Sequence, residues 1–145
     1  MNRFNEYLEQ ISPHIQRDTR NLGREWKSHL LSEITVPEYL HPVLTWFEHC
    51  GKGTRGSLVH LAAESFNNPF SSGINSNIQK YAALVELLQN ALLVHDDVMD
   101  HSSWRRNGLS VPAECASRLH AHNYANAEDK GTGISIARGD HLISW

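Results

Sequence analysis

Apolar positions recur at steps of three and four residues along most of the chain, and this spacing predicts a helical protein. The first series is Phe4, Leu8, Ile11 and Ile15. Such steps gather apolar side chains on one face of a helix. Pro13 lies inside this series and lacks the N–H that a helix interior uses. No segment shows a convincing strand alternation, so the predicted fold class is all-α.

Further helical segments follow, separated by stretches rich in Gly, Pro, Ser and Asn. We predict helices near Trp26, Leu30 and Leu31, and over residues 37–47, 54–65, 113–122 and 134–145. Pro37 is interpreted as the first-turn proline of its helix. Loops are predicted over residues 67–75, 101–112 and 123–133.

The most apolar segment is residues 76–100, whose second half offers little polar surface. A helix that is apolar nearly all round is typical of the middle of a helical bundle. We therefore predict that this segment is a central helix.

This central segment ends in three carboxylates, Asp96, Asp97 and Asp100. Asp96 and Asp100 share one helix face, and Asp97 lies about 100° round the helix from Asp96. Three anions at the negative end of a helix dipole repel one another. Mg²⁺ would compensate them, because carboxylates are hard oxygen ligands. The alternative is an acidic helix end exposed to solvent, but the apolar run before it favours the metal.

Two clusters of positively charged residues flank these acids in the sequence, one after them and one before them. Arg105 and Arg106 come soon after them, and arginine binds phosphate oxygens in bidentate fashion. These arginines could equally form surface ion pairs with the acids. The sequence CGKGTRG, residues 50–56, adds Lys52 and Arg55 beside a tight turn at a helix N-terminus. It is not a Walker A motif. Together the clusters favour a diphosphate bound between metal and cations.

Composition narrows the class of protein. A length of 145 residues predicts one domain, and the net charge of −3 argues against a nucleic-acid partner. No apolar run predicts a transmembrane helix, and the first residues lack a signal-peptide core, so a cytoplasmic location is expected. Cys50 and Cys115 form neither a disulfide framework nor a zinc motif.

Four segments together resemble the first half of a trans-isoprenyl diphosphate synthase of the polyprenyl synthetase family. They are GKGTRG (residues 51–56), LLQNALLVHDDVMD (87–100), the arginine pair 105–106, and ISIARGDHLISW (134–145), which carries Gly139 and Asp140. The resemblance implies that residues 1–145 are a single incomplete domain, the N-terminal part of an isoprenoid-synthase-type helical bundle. It also implies a Mg²⁺-dependent prenyltransferase of isoprenoid biosynthesis, which condenses an allylic diphosphate with isopentenyl diphosphate. A homodimer is implied for the full-length protein.

The resemblance also implies a role for each matching residue. Asp96, Asp97 and Asp100 would bind Mg²⁺ against the allylic diphosphate, and Arg105 would contact that diphosphate. Lys52, Arg55, Gln89 and Arg106 would hold isopentenyl diphosphate, although Gln89 is equally well explained as a polar core residue. Ala91 and Leu92 occupy positions related to product length. A small Ala91 implies a product longer than farnesyl, with geranylgeranyl as the first expectation, unless Ala91 is merely a close-packing position.

The chain departs from the family because a second aspartate-rich motif and a later lysine are missing. We therefore expect a truncated sequence whose isolated chain transfers no prenyl group. An alternative is a non-catalytic subunit or remnant that binds a full-length partner. An HD-type phosphohydrolase would use His60, His95 and Asp96. A terpene cyclase would use the acids but would not need Lys52 and Arg55.

Overall fold

The computed structural model describes residues 3–33, 35, 37–38, 41–46, 48–49, 51–66 and 76–144. These residues form six α-helices and one two-stranded antiparallel sheet. The elements are α1 (Arg3–Glu33), α2 (His41–Trp46), α3 (Thr54–Phe66), α4 (Ser76–Met99), β1 (Trp104–Arg105), β2 (Gly108–Leu109), α5 (Val111–Ala121) and α6 (Ala127–Ser144). The all-α prediction is confirmed. The loop predicted over 67–75, and also Leu40, Phe47 and Cys50, lie outside the described residues.

Helix α1 joins two predicted helices into one, so the prediction of a separate short helix near Trp26 is wrong. The buried face runs continuously through Ile15, Thr19, Gly23 and Trp26 at helical spacing. The hydrophobic pattern of the sequence did not predict this face, because Thr19 and Gly23 are buried but are not hydrophobic residues. Thr19 is accommodated because its hydroxyl donates to the Ile15 carbonyl at 2.8 Å. Pro13 lies inside the helix and does not end it.

The predicted starts of two other helices are also corrected. Helix α2 begins at His41 rather than Pro37, and Pro42 occupies its first turn. Helix α6 begins at Ala127, so residues 127–133 of the polar stretch predicted as a loop are helical. The predictions for α3 and α4 agree with the structure to within one residue at each end.

The chain divides into two compact units. The first comprises Met1–Trp26 and Glu48–Leu87, and the second comprises Lys27–Phe47 and Leu88–Trp145. Helices α1 and α4 therefore contribute residues to both. The prediction of one incomplete domain stays a prediction. No helix within the described ranges is long and apolar enough to cross a membrane.

In the second unit, α6 starts early because a glycine lets it approach α5. A Cβ on Gly131 would lie 2.8 Å from the Ala116 nitrogen and 2.9 Å from the Pro112 carbonyl oxygen. The Ser135 hydroxyl donates to the Gly131 carbonyl at 2.7 Å and remains buried. The glycines that suggested a loop therefore include one that permits close helix packing.

The segment predicted as a loop over residues 101–112 contains the β1–β2 hairpin. Trp104 pairs with Leu109, and Arg105 pairs with Gly108. The two residues between the strands, Arg106 and Asn107, have φ values of 52° and 67°. Positive φ at both central residues is the conformation that two-residue hairpins favour.

Cys115 on α5 is fully buried and is a free thiol. Burial raises the pKa of this thiol to about 11, although the Ser135 hydroxyl lowers it slightly. We expect Cys115 in the folded chain to resist iodoacetamide at pH 8 and to react once urea unfolds it. The stability should fall from about pH 9 to about pH 11, since the unfolded thiol ionises first. Peptide mapping by mass spectrometry separates Cys115 from Cys50; rapid native labelling of Cys115 would contradict the expectation.

Candidate functional site

The acidic end of α4 presents its three carboxylates to different surroundings. The Asp96 side chain is 54% exposed, whereas the Asp97 side chain is completely buried. Asp100 is exposed and lies one turn beyond Asp96 on the same face, with its N–H donating to the Asp96 carbonyl at 2.9 Å. The face that Asp96 and Asp100 share is therefore open to ligands, and Asp97 points into the protein.

Arg105, on strand β1, binds two of these acids at once. Its Nε donates to Asp97 Oδ1 at 2.5 Å, and its Nη2 donates to Asp96 Oδ2 at 3.1 Å. The hairpin makes this possible, because it returns the chain to α4 directly after the helix ends. The structure thus brings together Asp96, Asp97 and Arg105, as direct ion pairs.

The second carboxylate oxygen of Asp97 is a buried acceptor without a partner. Among the described residues no group hydrogen-bonds to Oδ2 of Asp97. Burial raises the pKa of Asp97, and Asp96 and Asp100 act in the same direction, while Arg105 opposes them. Such a group is costly to bury, so Asp97 depends on Arg105 more than the exposed acids do.

Arg106 takes a different direction from its neighbour. Its Nη2 donates to Asn90 Oδ1 at 3.2 Å, and its guanidinium lies 5.1 Å from the centre of the Trp46 ring. The Trp46 indole N–H donates to the Asn90 carbonyl at 3.0 Å. Sequence reasoning missed Asn90 and Trp46 and selected Gln89 instead. The signal was available, since Asn90 lies seven residues before Asp97 and therefore on the same helix face.

The remaining predicted residues of α4 differ in exposure. Gln89 is half-buried, Ala91 is fully buried, and Leu92 is 48% exposed. The burial of Ala91 agrees with the alternative that it is a close-packing position. Of the two residues related to product length, Leu92 is the accessible one.

Lys52 and Arg55 belong to the first unit, at the start of α3. Both side chains are exposed. Gly53 between them has a φ of +69°, which glycine adopts without strain. The Ser12 hydroxyl of α1 donates to the Lys52 carbonyl and anchors this turn. The predicted tight turn and the shared hollow for these cations and the acids stay predictions.

Gly56 serves packing rather than the turn. It lies inside α3, and a Cβ there would lie 2.5 Å from Ile15 Cγ2 and 2.8 Å from the Ala82 carbonyl oxygen. Its N–H donates to the buried Glu86 carboxylate at 2.8 Å. Glu86 therefore receives an N–H from the first turn of α3, which sets the position of the helix that begins beside Lys52 and Arg55.

His95, immediately before the acids, has an oxygen atom close to each ring nitrogen. Nδ1 lies 3.1 Å from the Ala91 carbonyl oxygen, and Nε2 lies 3.0 Å from Asp140 Oδ1. Asp140 and Gly139 form the Gly-Asp pair that the sequence singled out on α6. Sequence reasoning did not connect this pair with His95.

The donor chemistry at the end of α4 fits a magnesium ion shared with a ligand. Within the described ranges, no three His, Cys, Asp or Glu side chains converge on a metal position, so a three-carboxylate site is not preassembled. Mg²⁺ needs no such cage, because it retains waters and takes one or two carboxylates together with phosphate oxygens. The exposed Asp96 and Asp100 meet that requirement, whereas Asp97 Oδ2 is buried and does not face the open side of the helix end.

Comparison with known proteins identifies the family. The Polyprenyl synthetase family matches residues 36–136. The chain belongs to the polyprenyl synthetase family. The matched region contains all ten residues that the sequence analysis assigned to the site.

Individual relatives agree with this family assignment. A decaprenyl-diphosphate synthase of Dictyostelium discoideum is 32% identical over 109 residues, which cover 72% of this chain and 20% of that protein. A prenyl transferase of Cyanophora paradoxa is 31% identical over 113 residues, covering 72% and 30%. A (2E,6E)-farnesyl diphosphate synthase of Mycobacterium tuberculosis is 41% identical over 63 residues, covering 43% and 16%. The chain thus spans less than a third of these relatives. No solved structure matches it significantly.

The rival interpretations lose their support. The Nδ1 atom of His60 lies 2.8 Å from the Tyr7 hydroxyl and 3.4 Å from a Glu64 carboxylate oxygen. The Nε2 atom of His95 lies 3.0 Å from Asp140 Oδ1. Neither histidine contributes to a metal cluster within the described part of the chain. Together with the family match, this argues against the HD-type phosphohydrolase. The match to polyprenyl synthetases likewise favours the synthase over the terpene cyclase.

Proposed function

We propose that this chain carries the diphosphate-binding part of a Mg²⁺-dependent prenyltransferase that condenses an allylic diphosphate with isopentenyl diphosphate. One observation carries the proposal: the exposed Asp96 adjoins Arg105 at the open end of α4, inside the region that matches the family. Anionic oxygen ligands beside a guanidinium are suited to a metal–diphosphate complex.

In this proposal Asp96 and Asp100 would hold Mg²⁺, which would supply positive charge for a pyrophosphate leaving group. Arg105 supplies the second source of positive charge. A guanidinium has five N–H donors, and the bonds to Asp96 and Asp97 use two of them. Further N–H groups remain for the diphosphate of the allylic substrate. Because Asp97 holds the guanidinium in place, its charge is preorganised for the leaving group. The assignment of Asp97 as a third metal ligand stays a prediction.

Lys52 and Arg55 are proposed to bind isopentenyl diphosphate, and their support is local. Both are exposed cations at the first turn of α3, where backbone N–H groups also favour an anion. Arg106 and Gln89 are proposed for the same substrate. Within the second unit the Arg106 guanidinium lies near Trp46 and Asn90.

Several finer statements stay predictions. The proposal of a product longer than farnesyl, with geranylgeranyl first, rests on the small side chain of Ala91, which is fully buried. The homodimer and the cytoplasmic location have no support beyond the sequence and the resemblance. The alternative of a partner-binding subunit is favoured by exposed apolar side chains on α4, Leu88 at 43% and Leu92 at 48%.

The proposal is tested by titrating the chain with inorganic pyrophosphate in a calorimeter, with Mg²⁺ and then with EDTA. We expect binding only with Mg²⁺, and a loss of more than about tenfold in affinity for Asp96→Asn and for Asp100→Asn, since even outer-shell changes cost that much at metal sites. Asp129→Asn, an exposed carboxylate on α6, is the matched control and should bind like the wild type. Equal losses in all three variants, or binding that ignores Mg²⁺, would contradict the proposed function.

A further inference from the structure

His95 links the acidic end of α4 to helix α6, within the second unit. Its Nδ1 lies 3.1 Å from the Ala91 carbonyl oxygen of its own helix, and its Nε2 lies 3.0 Å from Asp140 Oδ1 across on α6. A carboxylate oxygen only accepts, so Nε2–H is the donor in the contact with Asp140. The imidazole ring therefore contacts both helices, with its one hydrogen bond directed across to α6.

Gly139 supports that orientation by its missing side chain. A Cβ at this position would lie 2.9 Å from His95 Cε1 and 3.4 Å from Nδ1. The ring thus lies directly against the backbone of α6. Two successive residues hold it, because Gly139 provides the space and Asp140 provides the acceptor.

The position of His95 gives this contact its consequence. His95 immediately precedes Asp96, and the helix ends at Met99. The last turn of a helix is the part that opens most easily, because its carbonyl groups lack further partners. A side-chain contact to a neighbouring helix at residue 95 limits both fraying and rotation of the turn that carries Asp96 and Asp100.

We propose that Gly139 and Asp140 are positioning residues, which act through His95 to hold the acidic turn of α4 in the orientation that binds a divalent cation. The structural half of this inference concerns the order of the turn. The functional half rests on the proposed function, in which Asp96 and Asp100 hold the metal. The Gly-Asp pair of α6 thereby gains a role that its distance along the sequence from the acids conceals.

The experiment compares amide hydrogen exchange at residues 97–100 with Mn²⁺ affinity, measured by paramagnetic resonance, in the full chain. Asp140→Ala removes the acceptor, and Gly139→Ala pushes the ring away. We expect each to speed exchange in this turn and to weaken Mn²⁺ binding by about tenfold, the lower end of outer-shell effects at metal sites. Asp140→Asn retains an acceptor oxygen and should restore both values to within about twofold of the wild type, since outer-shell partners act through their hydrogen bonds.

Matched controls come from the same helix. Glu128→Ala removes an exposed carboxylate whose Oε1 lies 2.7 Å from His120 Nε2. It matches Asp140 in exposure, because the Glu128 side chain is 74% exposed and the Asp140 side chain is 66% exposed. Gly133→Ala adds a methyl group where, within the described part of the chain, nothing lies within 4 Å. Neither control should change exchange at residues 97–100 or Mn²⁺ affinity. A general loss of stability is excluded when Asp140→Ala and Glu128→Ala have equal urea midpoints, and Asp140→Ala remains informative if Gly139→Ala does not fold.

The outcomes separate the two halves. Exchange and affinity in Asp140→Ala equal to those in Glu128→Ala would overturn the inference. Faster exchange with unchanged Mn²⁺ affinity would overturn its functional half. If the wild type binds no Mn²⁺ but Asp140→Ala still speeds exchange, the structural half holds and the proposed function fails. Failure of Asp140→Asn to restore the wild-type values would overturn the role of the acceptor oxygen.

Discussion

Replacing Arg105 with leucine is expected to lower the free energy of unfolding by about 3 kcal/mol, the range found when one partner of a buried ion pair is removed. The Asp97 side chain is fully buried, and Arg105 is its cationic partner at 2.5 Å. Without that guanidinium both carboxylate oxygens would lack a partner among the described residues. Asp96 contributes little to the loss, because its exposed carboxylate remains hydrated. Urea unfolding at unchanged slope provides the measurement.

Two comparisons make this expectation specific. Arg118→Ala removes an i,i+4 pair with Glu114 in which both side chains are more than a third exposed, and about 0.5 kcal/mol is expected. The double variant Asp97→Leu with Arg105→Leu removes the buried charge together with its partner. It should recover most of the stability, because matched apolar replacement of a buried ion pair is often neutral. A loss for Arg105→Leu no larger than for Arg118→Ala would show that Asp97 does not depend on Arg105.

Gly131→Ala is expected to destabilise the chain by about 2 kcal/mol through overpacking. The added Cβ would meet the Ala116 nitrogen at 2.8 Å and the Pro112 carbonyl oxygen at 2.9 Å. Both are backbone atoms of α5, so relief requires the two helices to move apart. Thermal or urea unfolding of the variant measures the effect.

The control for this change lies two residues away on the same helix. Gly133→Ala adds the same methyl group in a place where no described atom lies within 4 Å. Because alanine is favoured over glycine in a helix interior, this variant should be more stable by up to about 1 kcal/mol. The two substitutions are thus expected to differ in sign. If both stabilise the chain, the close approach of α5 and α6 is wrong.

The sequence predicted the bounds of α3 and α4 to within one residue. It did not predict the buried face of α3, which consists of Gly56, Ser57 and His60, while Leu58 is 46% exposed. It failed where burial depends on contacts with another helix. Thr19 in α1 and Gly131 in α6 lie on buried helix faces, but one resembles a surface residue and the other a loop residue in an isolated sequence.

The candidate site divides in the same way. The order of the motifs predicted that acids and arginines lie close together, because the chain between Asp100 and Arg105 is short. It could not predict which residue each arginine contacts, because those contacts depend on the backbone angles of the hairpin and on which α4 residues face it. Asn90 is buried and meets Arg106, whereas Gln89, one helix step away, does not share that face. The link from Asp140 to His95 spans 45 residues, and no local pattern reveals it.

The hairpin turn places the adjacent residues Arg105 and Arg106 in two different environments. Arg105 ends a strand and faces the carboxylates, while Arg106 begins the left-handed turn and faces an indole and an amide. Deleting Asn107, which lies between Arg106 and Gly108, would shift the strand register by one residue. A shift of one residue moves each side chain of the strand to the opposite face of the sheet. The positions of the Arg105 and Arg106 side chains therefore depend on the Asn107-Gly108 turn sequence that follows them. A homologue could keep both arginines and still lose the contacts of Arg105 with Asp96 and Asp97 through a change in turn length alone.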